Sequence, residues 1–167
     1  VLPDGVNPSP FASDYITGVV VQGDTLWVST RAGVYLSRLS QGLTTWSVRN
    51  AGLSTLANPL PQIDRLVRDG GTPFALKGFV AYRWDFAQNM WVTAAGVGAV
   101  RALDSAYGRV YAGADRGLYR WGQTRWDTLD ATLTSSDQSP LLVTANETGR
   151  VWAAGRPSTI GDASGTG

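Results

Sequence analysis

Thr25-Leu26-Trp27-Val28-Ser29-Thr30-Arg31-Ala32-Gly33-Val34-Tyr35 has an echo in Arg109-Val110-Tyr111-Ala112-Gly113-Ala114-Asp115-Arg116-Gly117-Leu118-Tyr119, and a worn copy lies between them, Thr72-Pro73-Phe74-Ala75-Leu76-Lys77-Gly78-Phe79-Val80-Ala81-Tyr82. The first aromatic of each copy advances Trp27, Phe74, Tyr111, steps of 47 and 37. The second advances Tyr35, Tyr82, Tyr119 by the same steps, and a third marker, Trp46, Trp91, Trp126, moves by 45 and 35. A partial fourth copy, Gly149-Arg150-Val151-Trp152-Ala153-Ala154-Gly155, puts Trp152 forty-one residues after Tyr111. A fixed period of about forty residues is the mark of a repeat architecture.

Within each unit, short apolar runs alternate with turn residues at strand spacing. In the first unit the runs are 19–21, 26–29, 34–37 and 45–48, joined by Gln22-Gly23-Asp24, residues 30–33 and Ser40-Gln41-Gly42. Gly and Asp in such joints supply the positive φ of tight hairpins. The second unit follows with 66–67, 73–75, 80–83 and 90–93, and the third with 100–103, 109–112, 118–121 and 124–128. Pro73 is expected to weaken its strand, because proline donates no ladder hydrogen bond. The fourth unit offers only 141–144 and 151–154, half a blade. No segment carries sustained helical periodicity.

The fold expected is therefore all-β, a β-propeller of four-stranded antiparallel blades, with about three to four blades in this chain. The expected blades are 16–56, 63–98, 99–133 and 140–157, together a propeller region of 16–157. Residues 1–15 are read as an extended segment or closing strand, and 158–167 as a flexible Gly/Ser/Thr tail. Either a strand near Phe11 to Ile16 completes the last blade of a small ring, or the chain is part of a larger propeller, as the absent initiator Met and ragged end favour. The connections 49–62 and 129–140, rich in Pro, Ser, Thr and Asn, are expected on one rim.

Composition narrows the chemistry. Thirteen Arg and one Lys stand against twelve Asp and one Glu, a net charge of +1 that gives no field for gathering nucleic acid or anionic membrane. Asp in place of Glu suits a turn-rich chain. There is no Cys and no His, which removes disulfides, thiolate chemistry and the usual neutral-pH base and metal ligand. No run approaches the roughly 20 apolar residues of a membrane span. No catalytic residue, metal ligand or cofactor site is assigned. Seven acids, Asp64, Asp69, Asp104, Asp115, Asp127, Asp130 and Asp137, show no calcium-loop spacing and read as turn caps.

The pattern Gly23-Asp24-Thr25-Leu26-Trp27-Val28-Ser29-Thr30-Arg31-Ala32-Gly33-Val34-Tyr35, followed by Trp46 and Asn50-Ala51-Gly52-Leu53, resembles the repeat of two-component-regulator type propellers of bacterial sensor proteins. The resemblance covers about residues 16–155 and is good in the first and third units; the second carries Val80 where that family has Gly. It implies the propeller fold and an extracytoplasmic setting, periplasmic or at the cell surface, and brings no catalytic residues. Gly122-Gln123-Thr124-Arg125-Trp126 and Gly42-Leu43-Thr44-Thr45-Trp46 more distantly resemble Asp-box propellers of sialidases and photosystem-assembly factors, without the defining aspartate.

Trp27, Tyr35, Phe74, Tyr82, Tyr111, Tyr119 and Trp152 are expected between blades, as core. Trp84 and Trp121, two residues beyond the repeat's second Tyr, are the aromatic candidates for a binding surface. Arg31, Arg83, Arg116 and Arg120 are candidates for holding carboxylate or phosphate if they converge on the central channel, against solvated pairing with Asp115, Asp85 or Asp127. The functional expectation is a non-catalytic scaffold or accessory subunit that binds protein partners in a larger assembly, a membrane-associated complex included. The alternative is an extracytoplasmic sensor for a small ligand such as a glycan, and a propeller hydrolase or lyase ranks third.

Overall fold

Alternating apolar residues and Gly-centred turns drive the chain into hairpins. The computed structural model describes residues 10–53, 62–131, 140–145 and 151–155. The tail 158–167, most of the segment 1–15 and the middles of both long connections lie outside the described residues.

The first blade is β1 (Ile16–Gln22), β2 (Thr25–Thr30), β3 (Gly33–Arg38) and β4 (Ser47–Val48), with one 3-10 turn at Leu39–Gln41. The second is β5 (Arg65–Asp69), β6 (Thr72–Lys77), β7 (Val80–Asp85) and β8 (Met90–Thr93). The third is β9 (Val100–Ala106), β10 (Arg109–Ala114), β11 (Gly117–Trp121) and β12 (Trp126–Asp130). Each is an antiparallel four-stranded sheet in chain order, and β13 (Pro140–Ala145) and β14 (Val151–Gly155) form a two-stranded fourth. No α-helix occurs among the described residues. The described residues form a β-propeller array of three four-stranded blades and a two-stranded part of a fourth.

Register explains how the repeat builds the core. Trp27 pairs across to Val20 and Leu36, Phe74 to Val67 and Arg83, and Tyr111 to Asp104 and Arg120. Because side chains alternate between sheet faces, Trp27, Phe74 and Tyr111 point toward the following blade, while Tyr82 and Tyr119 point toward the preceding one. Trp27, Val20 and Val34 accordingly share a core with Leu66, Ala75, Tyr82, Trp84 and Trp91. Phe74, Val67 and Leu76 share the next with Leu103, Ala112, Tyr119, Trp121 and Trp126. Val151 packs on Ala102, Tyr111 and Leu118.

Pro73 does not interrupt β6. It is fully buried opposite Arg68, and the β6–β7 ladder begins only at Phe74, so its missing N–H lies beyond that ladder. Nor do Phe11–Tyr15 form a strand completing the last blade. The chain enters β1 at Ile16, and Phe11 packs against the first blade, 4.9 Å from Tyr35 and 4.8 Å from Trp46 between ring centroids.

Candidate functional site

The contact between the first and second blades and that between the second and third are each closed by an aromatic trio. Trp27 sits 5.1 Å from Trp84 and 6.1 Å from Trp91, and Phe74 sits 5.3 Å from Trp121 and 6.3 Å from Trp126, all edge-on. Trp84 and Trp121 are therefore not surface residues: they are 3% and 4% exposed, held between blades by these neighbours. Trp152 corrects the expectation in the other direction. It is 50% exposed, because Val151 takes the face toward the third blade and alternation turns Trp152 away from it.

The hairpin turns between first and second strands and between third and fourth strands share one rim. Two clefts open there. The larger, about 470 Å³ and between the second and third blades, is lined by Asp69, Arg83, Tyr107, Arg109, Trp121 and Gln123 among others. The smaller, about 220 Å³ and between the first and second blades, has Gln22, Trp27, Arg49, Trp84, Phe86 and Asn89 in its wall. Gln22 and Asp69 hold the same place, each at the end of a first strand, as do Thr25 and Thr72 at the start of the second. The two clefts are thus repeats of one site. Each has an exposed aromatic in its wall, Phe86 in one and Tyr107 in the other.

Tyr107 is carried out by a turn in which its own φ is 53° and that of Gly108 is 63°, and the Gly108 carbonyl accepts a 2.8 Å hydrogen bond from the Gly70 N–H of the neighbouring turn. That bond fixes the cleft's two lips. Within it, burial pushes the Asp69 carboxyl above its ordinary range, while the Arg109 guanidinium draws it back.

The four candidate arginines do not converge. Arg31 lies over the Tyr15 ring at 3.9 Å, and Arg120 reaches Asp127 at 3.6 Å. Arg116 belongs to the opposite rim, in the turn between β10 and β11, and only Arg83 lines a cleft. Asp115 pairs with Arg101 at 2.9 Å, and Asp85 accepts the backbone N–H groups of Ala87 and Gln88. Along the axis, the charged residues are others: Arg65 and Arg68 share a recess of about 350 Å³ with Val19, Val21, Asp104 and Ser105. Arg65 bridges to Asp104 at 3.2 Å, joining second and third blades.

Sequence reasoning missed Arg65, Arg109 and Tyr107. Their signal was positional: each flanks a first or second strand of a blade, where residues end on the axis or on the rim. Among the described residues, no three of His, Cys, Asp and Glu gather as a metal site, and no helix is long and apolar enough to cross a membrane.

No family model matches the chain, and no curated protein does, so the resemblance to regulator-type repeats rests on the residues quoted for it. Solved structures do match. A chain in the S. cerevisiae structure of Dbp5 bound to Nup159, Gle1, IP6 and ADP aligns with TM-score 0.57 and 17% identity, over 89% of this chain and 41% of that one. The WD40 β-propeller domain of Doa1 aligns with TM-score 0.55 and 12% identity, over 86% and 48%. The computationally designed Ika4 protein aligns with TM-score 0.57 and 12% identity, over 88% and 94%. The chain spans less than half the length of the first two, and what it shares with them is the β-propeller fold.

Proposed function

We propose that the chain is a non-catalytic interaction module, a scaffold or accessory subunit that holds a protein partner on the rim carrying the two repeated clefts. The observation that supports this reading is the pairing of each cleft with an exposed aromatic, Phe86 or Tyr107. Aromatic and arginine side chains supply most of the energy of protein contacts, and Arg83 and Arg109 stand in the larger cleft. The spacing by one blade fits an extended partner segment that lays successive side chains into successive clefts. The propeller in the Dbp5 structure's company, Nup159, is bound with other proteins in that assembly, which agrees with this reading.

The test is affinity capture from the source with wild-type chain and with a Phe86→Ser/Tyr107→Ser variant, both checked for unchanged thermal stability. A specific protein held by wild type and lost by the variant supports the reading. Equal capture by both overturns it. The larger cleft's volume also lies in the range of small-molecule sites, about 300–1,000 Å³, which favours the sensor alternative in second place. Thermal stabilisation by an oligosaccharide, abolished by Arg83→Ala, would move that alternative ahead.

A further inference from the structure

The larger cleft holds two opposite charges that the repeat leaves without partners. Asp69 ends β5 and Arg83 stands in β7, both partly buried and both in the cleft's lining. Asp69 pairs across to Thr72, and Arg83 to Phe74. Thr72 and Phe74 lie two residues apart on β6, so alternation puts all four side chains on the face toward the third blade.

The other blades show what each charge lacks. Gln22 holds the place of Asp69 in the first blade, and its Oε1 accepts from the Trp27 Nε1–H at 3.2 Å. Phe74 stands in the place of Trp27, so that indole donor is gone from the larger cleft. Arg120 holds the place of Arg83 in the third blade, and its cross-strand neighbour Asp127 neutralises it at 3.6 Å. The cross-strand neighbour of Arg83 is Val92. Asp85, two residues along β7, already accepts the backbone N–H groups of Ala87 and Gln88 and the Gln88 side-chain amide. Among the described residues, neither the Asp69 carboxyl nor the Arg83 guanidinium has a hydrogen bond or an ion pair, and Arg109 acts on Asp69 only through its charge. In the smaller cleft the two places fall to Gln22 and Leu36, both neutral.

The two charges lie two strand spacings apart and two residues along, which sets their Cα atoms about 12 Å from each other. No ion pair closes that span, and a small dipolar molecule lying across Thr72 would. A plain anion there would face Asp69, and a plain cation would face Arg83 and Arg109. A molecule with both charges meets each with its opposite. The cleft's volume of about 470 Å³ admits such a molecule, and the Tyr107 and Trp121 rings stand in its wall.

We infer that the larger cleft binds a free α-amino acid as its zwitterion, with the carboxylate on the Arg83 guanidinium and the ammonium on the Asp69 carboxylate. A guanidinium takes a carboxylate through two parallel hydrogen bonds, which fixes the ligand's direction. The ammonium returns to Asp69 the hydrogen bonds that burial denies it. The inference stands apart from the rim's protein partner, whose capture is a separate readout.

Calorimetric titration of the 167-residue chain with each of the common L-amino acids tests it. At least one should bind saturably, one molecule per chain. The amine that lacks that amino acid's carboxylate, and the acid that lacks its ammonium, should each bind about 10- to 100-fold more weakly, the loss expected for one charged hydrogen-bonded contact. Arg83→Ala should weaken the amino acid by a similar factor without weakening the amine, and Asp69→Asn should weaken the amino acid without weakening the acid. Circular dichroism verifies that the variants fold, and the analogue series on wild type needs no variant. Absence of binding by every amino acid overturns the inference and leaves the rim's protein partner standing. So does an analogue that binds as tightly as the amino acid, or binding that survives either substitution.

Discussion

Phe11 and Trp46 stand 4.8 Å apart with ring planes at 78°, reproducing in the first blade the tryptophan pair that the third blade makes from Trp121 and Trp126. Phe11 reaches this place from outside the repeat. The Ala12 N–H anchors the segment by donating to the Tyr35 hydroxyl at 2.9 Å. Edge-on aromatic pairs contribute about 0.5–1.5 kcal/mol beyond the area they bury, and Phe11 makes two. Phe11→Ala should therefore destabilise the chain by about 1–3 kcal/mol in urea unfolding. Phe11→Leu should recover part of that loss, and an unchanged midpoint for the Ala variant would show that the segment is a passenger.

Fourth-strand tryptophans rivet each blade to its predecessor. The Trp91 Nε1–H donates to the Arg49 carbonyl at 2.7 Å, and the Trp126 Nε1–H to the Ala94 carbonyl at 2.8 Å, each acceptor lying three residues beyond the preceding blade's own marker Trp. Replacing either Trp by Phe keeps most of the ring and orphans the carbonyl, a cost of about 1–3 kcal/mol. The bond to Ala94 is buried and that to Arg49 only partly so. Water can reach the Arg49 carbonyl more easily, so Trp126→Phe should lower the unfolding midpoint more than Trp91→Phe. The reverse order would mean that ring packing, not the hydrogen bond, sets the loss.

At Gly18 the first two blades lie close together near the axis. A Cβ added there would lie 2.8 Å from the Leu66 Cβ, with the Leu66 backbone nitrogen at 3.0 Å. Its φ is not in the left-handed region, so the obstacle is the neighbouring strand and not the backbone. Gly18→Ala should cost about 1–3 kcal/mol as an overpacked contact. Leu66→Ala alone should also destabilise by opening a cavity, but the double variant should cost less than the sum, a coupling readable in a double-mutant cycle. Strict additivity would show that β1 and β5 slide apart freely.

Much of the fold was legible because the repeat prints its aromatics at equivalent strand positions. Tyr35, Tyr82 and Tyr119 share a face in the three four-stranded blades for the same reason that they share a spacing. Trp84 and Trp121 were misplaced because they fall outside the shared pattern: the first blade has Ser37 there, so the position looked optional, when Phe11 supplies the missing ring. Trp152 was misplaced for the opposite reason. Its pattern is that of a core residue, and only the count of blades decides whether a core position has anything to pack against. The clefts were least legible, since Tyr107 and Asp69 come together only when neighbouring turns join through Gly70 and Gly108.

Asp69 gives the rim a pH signature. Burial raises its carboxyl above the ordinary value, and Arg109 only partly opposes this. The folded state then holds the proton more tightly than the unfolded state. Its contribution is fully favourable below the unfolded pKa and is lost as pH rises through the window up to the folded one, leaving a constant cost at neutral pH. Asp24 acts with the opposite sign: hydrogen bonds from the Ser40 side chain and backbone lower its pKa, so its stabilising contribution is present at neutral pH and lost as pH falls. Asp69→Asn should accordingly raise the melting temperature slightly at pH 7 and make no difference below the carboxylate range. If D69N melts lower than wild type at pH 7, the attraction of the Arg109 charge outweighs burial. If it melts higher, the cleft holds an ionised acid at a cost, and a basic side chain from a partner bound on the rim would relieve it.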